Sequence, residues 1–329
     1  MRMDWTQFPV VRTALGMALA ALMGWPGTAA GQAPTKTLVI TEIRPIPLNG
    51  PGRAEEGGSI YYLVEATYPQ DWQDEVENTF KVKVDGLPAT YQDSGSGFGG
   101  GEADRSFWVY LGSPGKKTIE VTLVKDGKTI AAEKEFTVPA ESVIRLLDHY
   151  DGEAVFENEA LKFVDFGALD VSMKVNGVAV DVKTEPVKGF EGVSMVTVPP
   201  SLKPGMNTIE YASTNAEAKQ TKQTIQLYYA SGNKAKVGDH FLFTYGRMGS
   251  KSGPFYNVMT DGAVLVQTGQ TEWKIALKMD EKGWVGGLEV FGHPIEAKKA
   301  GTGGLALFVK SNFMLPEELD KKIAFTVEP

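Results

Sequence analysis

The sequence predicts an all-β fold of tandem antiparallel β-sandwich domains behind an N-terminal export segment. Three observations predict it. Short runs alternate apolar and polar side chains with period two, as in Phe80-Lys81-Val82-Lys83-Val84, the spacing of a strand with one buried face. Asp-Gly and Asn-Gly pairs sit between such runs, and these pairs favour the tight turns that join antiparallel strands. Turn residues recur about every eight to twelve positions, with no amphipathic helix of useful length between them.

The chain begins with an address. Arg2 and Arg12 precede the apolar, small-residue stretch Thr13–Ala30. Its apolar part ends near Trp25, short of the roughly 20 residues that span a bilayer. Pro26-Gly27 breaks any helix there, and Thr28-Ala29-Ala30 supplies small residues. This is the layout of a secretory signal peptide, residues 1–30, cleaved after Ala30. No later stretch reaches spanning length without charges, so no membrane span is expected after cleavage. The expected destination is the periplasm, the cell surface or the exterior. The chain contains no Cys, which excludes disulfides, a lipid on cysteine, thiolate catalysis and Cys-ligated zinc. Removing residues 1–30 takes away two positive charges and one negative, moving the formal net charge from −8 to −9. An acidic chain without a Lys/Arg cluster is unsuited to nucleic acid, so no nucleic-acid partner is expected.

Residues 37–138 read as the first sandwich. Thr37–Arg44 alternates, proline and glycine from Pro45 to Gly58 mark a loop, and Ser59–Thr67 resumes the alternation. Phe80–Val84, Ser106–Leu111, Lys117–Val124 and Thr129–Val138 follow, the last two joined by an Asp126-Gly127 hairpin. Trp108 shares a face with Tyr110, opposite Phe107, Val109 and Leu111, and either face suits burial. Gln92–Asp104, QDSGSGFGGGEAD, reads as a glycine-rich loop. Its acids suit a hard cation such as calcium, but their spacing fits no calcium-loop pattern. Tyr68–Asn78 places Trp72 among acids, either as an exposed binding anchor or as a cap on the sandwich end.

Residues 139–230 restart the pattern. Strands are expected at Ser142–Leu147, Ala160–Asp165, a hairpin about Asn176-Gly177, Ser194–Val198, Met206–Ser213 and Gln223–Tyr229. Two strings recur in the same order. Lys83-Val84-Asp85-Gly86 matches Lys174-Val175-Asn176-Gly177 at an offset of 91. Pro114-Gly115 before Lys117-Thr118-Ile119-Glu120 matches Pro204-Gly205 before Asn207-Thr208-Ile209-Glu210 at an offset of 90. Together they indicate an internal duplication of about 90 residues. A strand closing in [DN]-G, then a Pro-Gly turn feeding a Thr-Ile-Glu strand, resembles tandem bacterial immunoglobulin-like repeats and fibronectin type III-like domains of secreted proteins, over about residues 37–229. The resemblance implies an architecture and carries no site residue.

Residues 231–329 read as a third all-β domain, sandwich or small barrel, in which the repeat strings do not recur. Phe241, Phe243 and Tyr245 share a face, and strands are expected at Ala263–Gln267, Glu272–Met279, Trp284–Phe291, Gly304–Lys310 and Lys322–Val327, with one helical turn at Pro316–Lys321. Phe255 and Tyr256 follow Gly253-Pro254 as loop aromatics.

Chemistry is sparse. His149, His240 and His293 are more than fifty residues apart, without the spacing of a zinc site. No G-x-S-x-G elbow exists. A glycosidase needs two carboxyl groups at a set separation in the fold, which a sequence does not display. No cofactor, metal or catalytic residue is assigned. The expected function is a non-enzymatic structural or interaction protein of the cell envelope or exterior. The alternatives are carbohydrate binding through exposed aromatics, and, behind it, a hydrolase seated in the third domain. Candidate contact residues are Trp72, Trp284, Phe255 and Tyr256; expected partners are an envelope or extracellular protein, or a glycan.

Overall fold

A computed structural model describes residues 37–46, 60–140, 143–215, 219–244, 255–310 and 321–329. The signal segment with Ala30, the loop about Arg247 and Lys251, and most of the Pro316–Lys321 turn lie outside them.

The first group of strands is β1 (Val39–Pro45), β2 (Tyr61–Pro69), β3 (Lys81–Val84), β4 (Leu87–Pro88), β5 (Tyr91–Gly99), β6 (Glu102–Tyr110), β7 (Gly115–Lys125) and β8 (Lys128–Val138). They form two sheets, β1-β2-β6-β5 and β4-β3-β7-β8. The alternation fixes the inner faces: Tyr62, Val64, Ala66 and Tyr68 meet Val82, Ile119, Val121 and Leu123 in one core. Trp72, on a single 3₁₀ turn after β2, is half-buried against that core.

The second group is β9 (Val143–Leu146), β10 (Ala154–Val155), β11 (Leu161–Phe166), β12 (Ala168–Val175), β13 (Val178–Val180), β14 (Lys183–Pro186), β15 (Val193–Val198), β16 (Gly205–Asn215) and β17 (Gln220–Tyr229). Its sheets are β14-β15-β11-β9 and β13-β12-β16-β17, with β10 added parallel to β17. Leaving β10 aside, the chain visits the two sheets in the same order as in the first group. Ile144, Phe163, Val196, Ile209 and Leu227 fill the core.

The third group is β18 (Lys234–Lys236), β19 (His240–Phe243), β20 (Phe255–Thr260), β21 (Leu265–Gln267), β22 (Glu272–Met279), β23 (Val285–Ala297), β24 (Gly301–Lys310) and β25 (Lys321–Glu328). One sheet is β18-β25-β24-β20, with β18 parallel to β25 as β10 is to β17. The other is centred on β23, paired to β19, β21 and β22. Phe241, Phe243, Leu265, Ile295, Leu305 and Phe325 pack between them.

The recurring strings are partners in space. Val84 pairs with Ile119, and Val175 with Ile209. Asp85 Oδ1 accepts a hydrogen bond from Thr118 N at 2.8 Å, and Asn176 Oδ1 from Thr208 N at 3.0 Å. The turn residue thereby clamps its hairpin to the next-but-several strand. The third group has the same clamp without the same string. Thr260 pairs with Leu305, and Asp261 Oδ2 accepts from Gly304 N at 2.8 Å. Gly115, Gly205 and Gly301, each three residues before the clamped N–H, all have positive φ, where a side chain is strained.

The structure corrects one stretch. Gln92–Asp104 is not an open loop: Tyr91–Gly99 is an edge strand laddered to β6, and the turn is confined to Gly100-Gly101. Glycine erased the alternation that would have marked it. Likewise the backbone of Phe255 and Tyr256 lies in β20, opposite Lys310 and Val309, rather than in a loop.

Candidate binding site

Two places bring the groups of strands together, and they differ in chemistry. The first is an aromatic junction. Phe107 and Val109 of β6 face the first core, while Tyr110 and the half-buried Trp108 face outward onto a second cluster. Both faces of this strand are therefore covered. The outward cluster takes Ile60, Tyr61 and Tyr110 from the first group, Val164, Phe166 and Phe190 from the second, and Leu277, Trp284 and Val285 from the third. Tyr61 and Trp284 ring centroids are 4.7 Å apart; Phe190 meets Trp284 edge-on at 5.3 Å and Tyr110 at 5.2 Å. The Val285 N–H donates to Tyr61 Oη at 2.8 Å, and Tyr110 Oη donates to the Glu191 carbonyl. Burial pushes the Tyr61 phenol above its ordinary pKa, against the Val285 N–H, which pulls it down.

Local turn chemistry sets Trp284 in this place. Asp280 Oδ1 accepts from Lys282 N at 2.8 Å and Trp284 N at 2.9 Å, closing the β22–β23 turn. A Cβ on Gly283 would lie 2.8 Å from Val187 Cγ1 and 2.9 Å from Phe190 Cε2, so glycine permits the approach.

The second place is a strap and the cleft beside it. Residues Leu147–Val155, between β9 and β11, cross the outer face of the β19–β23–β22 sheet. Leu147 bridges Leu277 of β22 and Glu153 bridges Leu242 of β19. Tyr150 packs on Leu242, Ala276 and Val290, with its hydroxyl bonded to Thr244 Oγ1. The strap is held to its own sandwich by Gly152 N to Gln226 O, 2.8 Å, and Gln226 N to Asp151 Oδ1, 2.7 Å.

Beside it opens a cleft of about 290 Å³, lined among others by His149, Glu153, Phe156, Glu157, Glu159 and Thr244. Glu153 is 5% exposed; its Oε2 lies 2.9 Å from His149 Nδ1 and accepts from Tyr150 N at 3.3 Å. Phe156 rests edge-on against Phe243 and Phe325 at the cleft floor. A hydrogen bond and the negative charge of Glu159 hold the Glu157 carboxyl above its ordinary pKa. Thr244 Oγ1 also donates to the Phe291 carbonyl at 3.2 Å, so its proton faces away from an imidazole base. Among the described residues no group of His, Asp and Glu has metal-site geometry. The cleft offers acceptors around an aromatic floor, a setting for a cationic or hydroxyl-bearing group.

The sequence-stretch candidates fall in separate places. Trp284 is 8% exposed and both its neighbours in the junction are rings. Trp72 caps the first core from its half-buried position. Phe255 and Tyr256 are placed by backbone alone, on β20. Trp72 and Trp284 lie in different core clusters. The structure instead assembles His149, Glu153, Glu157 and Glu159, of which the sequence singled out His149 alone.

No protein-family model matches the chain, and no curated protein matches it in sequence. Solved structures similar to it include dimeric latent PorU from Porphyromonas gingivalis (12% identity, 90% of this chain and 34% of that one, TM-score 0.31). Fibronectin(III)-like modules of Clostridium thermocellum CbhA match at 11% identity over 52% of this chain and 86% of theirs, TM-score 0.20. The SGBP-B of a Bacteroides ovatus mixed-linkage glucan utilization locus, in complex with a heptasaccharide, matches at 12% identity over 76% and 60%, TM-score 0.17. The chain spans about a third of the length of PorU. The sheet orders of the first two groups are themselves those of an immunoglobulin-like sandwich. Among the described residues no helix is long and apolar enough to cross a membrane.

Proposed function

We propose that the chain is an exported, non-enzymatic structural or interaction protein of the cell envelope or exterior, presenting binding surfaces on three β-sandwiches with boundaries at 37–138, 139–230 and 231–329. The observation that carries this reading is the aromatic junction. Tyr61, Phe190 and Trp284 come from three different sandwiches and pack with ring centroids within 6.2 Å of one another, edge-on or tilted. A protein that only spaced its domains on flexible linkers would not bury such rings between them. The cleft beside the strap supports a binding role, because the Glu157 and Glu159 carboxyls line it beside the Phe156 ring.

Two measurements test this. N-terminal sequencing of the exported chain is expected to read from Gly31; retention in the cytoplasm with Met1 intact would remove the export half of the proposal. For the binding half, the purified protein is cross-linked in intact cells and its partners identified, beside a glycan array. Capture of one envelope or extracellular protein, lost in Glu157→Lys/Glu159→Lys, is the expected result. Glycan binding lost in Trp72→Ala would replace it with a carbohydrate-binding function.

A further inference from the structure

The sheet edges of this molecule are guarded unequally. An open edge strand is a row of unpaired backbone donors and acceptors, and proteins blunt it with charge, proline, brevity or cover. Here β17 is covered by β10 and β25 by β18. The β8 edge carries Lys128, Glu133, Lys134 and Glu135, and Lys134 Nζ donates to the Thr41 carbonyl of β1 at 2.7 Å, closing that side of the first sandwich. In the second sandwich β13 has three residues, and β14 has four and ends in Pro186.

The least guarded edge of the first sandwich is β5, nine residues long, with β6 on one side and no strand among the described residues on the other. Its one charged side chain, Asp93, is held by Arg105, with Nε at 2.7 Å, and accepts from Gly95 N at 3.2 Å. The bulge between Asp93 and Gly95 lies at one end, and Gly95–Gly99 then runs in regular register against Ser106–Glu102. That segment, Gly-Ser-Gly-Phe-Gly, carries no charge, and Phe98 is 68% exposed.

We infer that β5 is a self-association edge: its Gly95–Gly99 segment pairs antiparallel with the same segment of a second copy of this chain, joining two four-stranded sheets across a two-fold axis. This stands independently of the partner proposed above. Strand addition supplies affinity through the main chain and specificity through alternate side-chain pockets; a segment of glycine and serine has no pockets with which to read a different sequence. Against its own copy it is complementary. An isologous two-fold centred on Gly97 sets glycine opposite glycine and Phe98 opposite Ser96, so that the exposed ring gains cover and no charge meets a like charge. The absent side chains also keep this edge flat enough for a second sheet to approach. A Cβ at Gly97 would already lie 2.6 Å from Asp104 Oδ1.

Sedimentation equilibrium of the purified exported chain is expected to give twice its one-chain mass, and Ser96→Lys/Phe98→Lys is expected to return it to one chain with an unchanged circular dichroism spectrum. Because the chain has no Cys, a spin label on Ser96→Cys reports one site. Antiparallel pairing within Gly95–Gly99 brings the two labelled Cα atoms to within about 8 Å, so strong dipolar broadening is expected, lost on dilution with unlabelled chain. A single-chain mass at every concentration overturns the inference. So does a dimer whose Ser96 labels show no broadening, or an unrelated extended peptide that binds β5 while the chain itself stays monomeric.

Discussion

The second sandwich meets its neighbours in two ways. Across the outer face of its β9-β11-β15-β14 sheet it shares rings and aliphatic side chains with both other sandwiches. Through the strap it meets the third sandwich alone, with backbone bridges, one tyrosine and a polar cleft alongside. The apolar contact excludes water and sets geometry. The polar one leaves acceptors facing solvent. Rigidity and ligand access are thus assigned to different walls of the same domain, and substitutions should separate them.

The largest effect is expected at the junction. Trp284→Ala removes a ring packed against Tyr61 and Phe190 and should destabilise the chain by about 3–5 kcal/mol, read by denaturant unfolding. Limited proteolysis near residues 229–236 should then be faster than in the wild type. An unchanged midpoint would show that the third sandwich is held by the strap alone.

A second effect sits just behind the junction. Asp165 is 2% exposed on β11, next to Val164 and Phe166, and its Oδ1 has no hydrogen-bond partner. Burial pushes its carboxyl from 3.8 up to about 7, although the Ala168 and Phe166 N–H groups pull the other way. A raised carboxyl pKa means the folded state holds the proton more tightly, so this group costs nothing below about pH 4 and progressively more as pH rises towards 7. Asp165→Asn should therefore stabilise the protein by on the order of 2–4 kcal/mol at pH 8 and hardly at all at pH 4. Equal effects at both pH values would show that the carboxyl is not buried as an acid.

Smaller again is the turn clamp of the third sandwich. Asp261 is raised by burial but carried below its ordinary pKa by N–H donors from Val264, Ala263, Gly304 and Leu265. Asp261→Ala should cost about 1–3 kcal/mol, confined to β20–β24 by amide exchange. The wild-type margin over the variant should shrink as pH falls through the acid range, since a depressed carboxylate stabilises only while ionised. The smallest effect is expected at the cleft. Glu157→Gln/Glu159→Gln should leave the unfolding midpoint unchanged, as exposed substitutions do, while altering partner capture. A large loss of stability there would make the cleft a structural seam.

Much of the fold was legible because local rules suffice for hairpins. Asp85-Gly86, Asp126-Gly127 and Asn176-Gly177 all adopt positive φ, as their sequences imply. The ladder of β7 with β8 runs about the Asp126-Gly127 turn. What resisted reading was non-local. Alternation in β6 pointed to one buried face, yet Trp108 and Tyr110 are covered by a different sandwich from the one that covers Phe107 and Val109. Trp284, at the head of an expected strand, read as a contact residue because nothing near it in sequence covers it. The third group's clamp was hidden because Asp261-Gly262 and Gly301 keep only the residues that its geometry requires. The cleft was illegible for the same reason as the junction: its walls come from chain segments that sequence spacing does not relate.

The strap also gives the molecule a direction in time. Leu147–Val155 and the β17 residues that fasten it are all made before His240. A chain emerging from its N-terminus therefore presents a finished docking rail to β19 and β22 as they appear. The reverse does not hold: a third sandwich released on its own would expose Leu242, Ala276 and Val290 where Tyr150 had lain. A circular permutant that moves residues 231–329 to the front is therefore expected to leave Leu242, Ala276 and Val290 uncovered for longer during synthesis, and to aggregate more than the native order does.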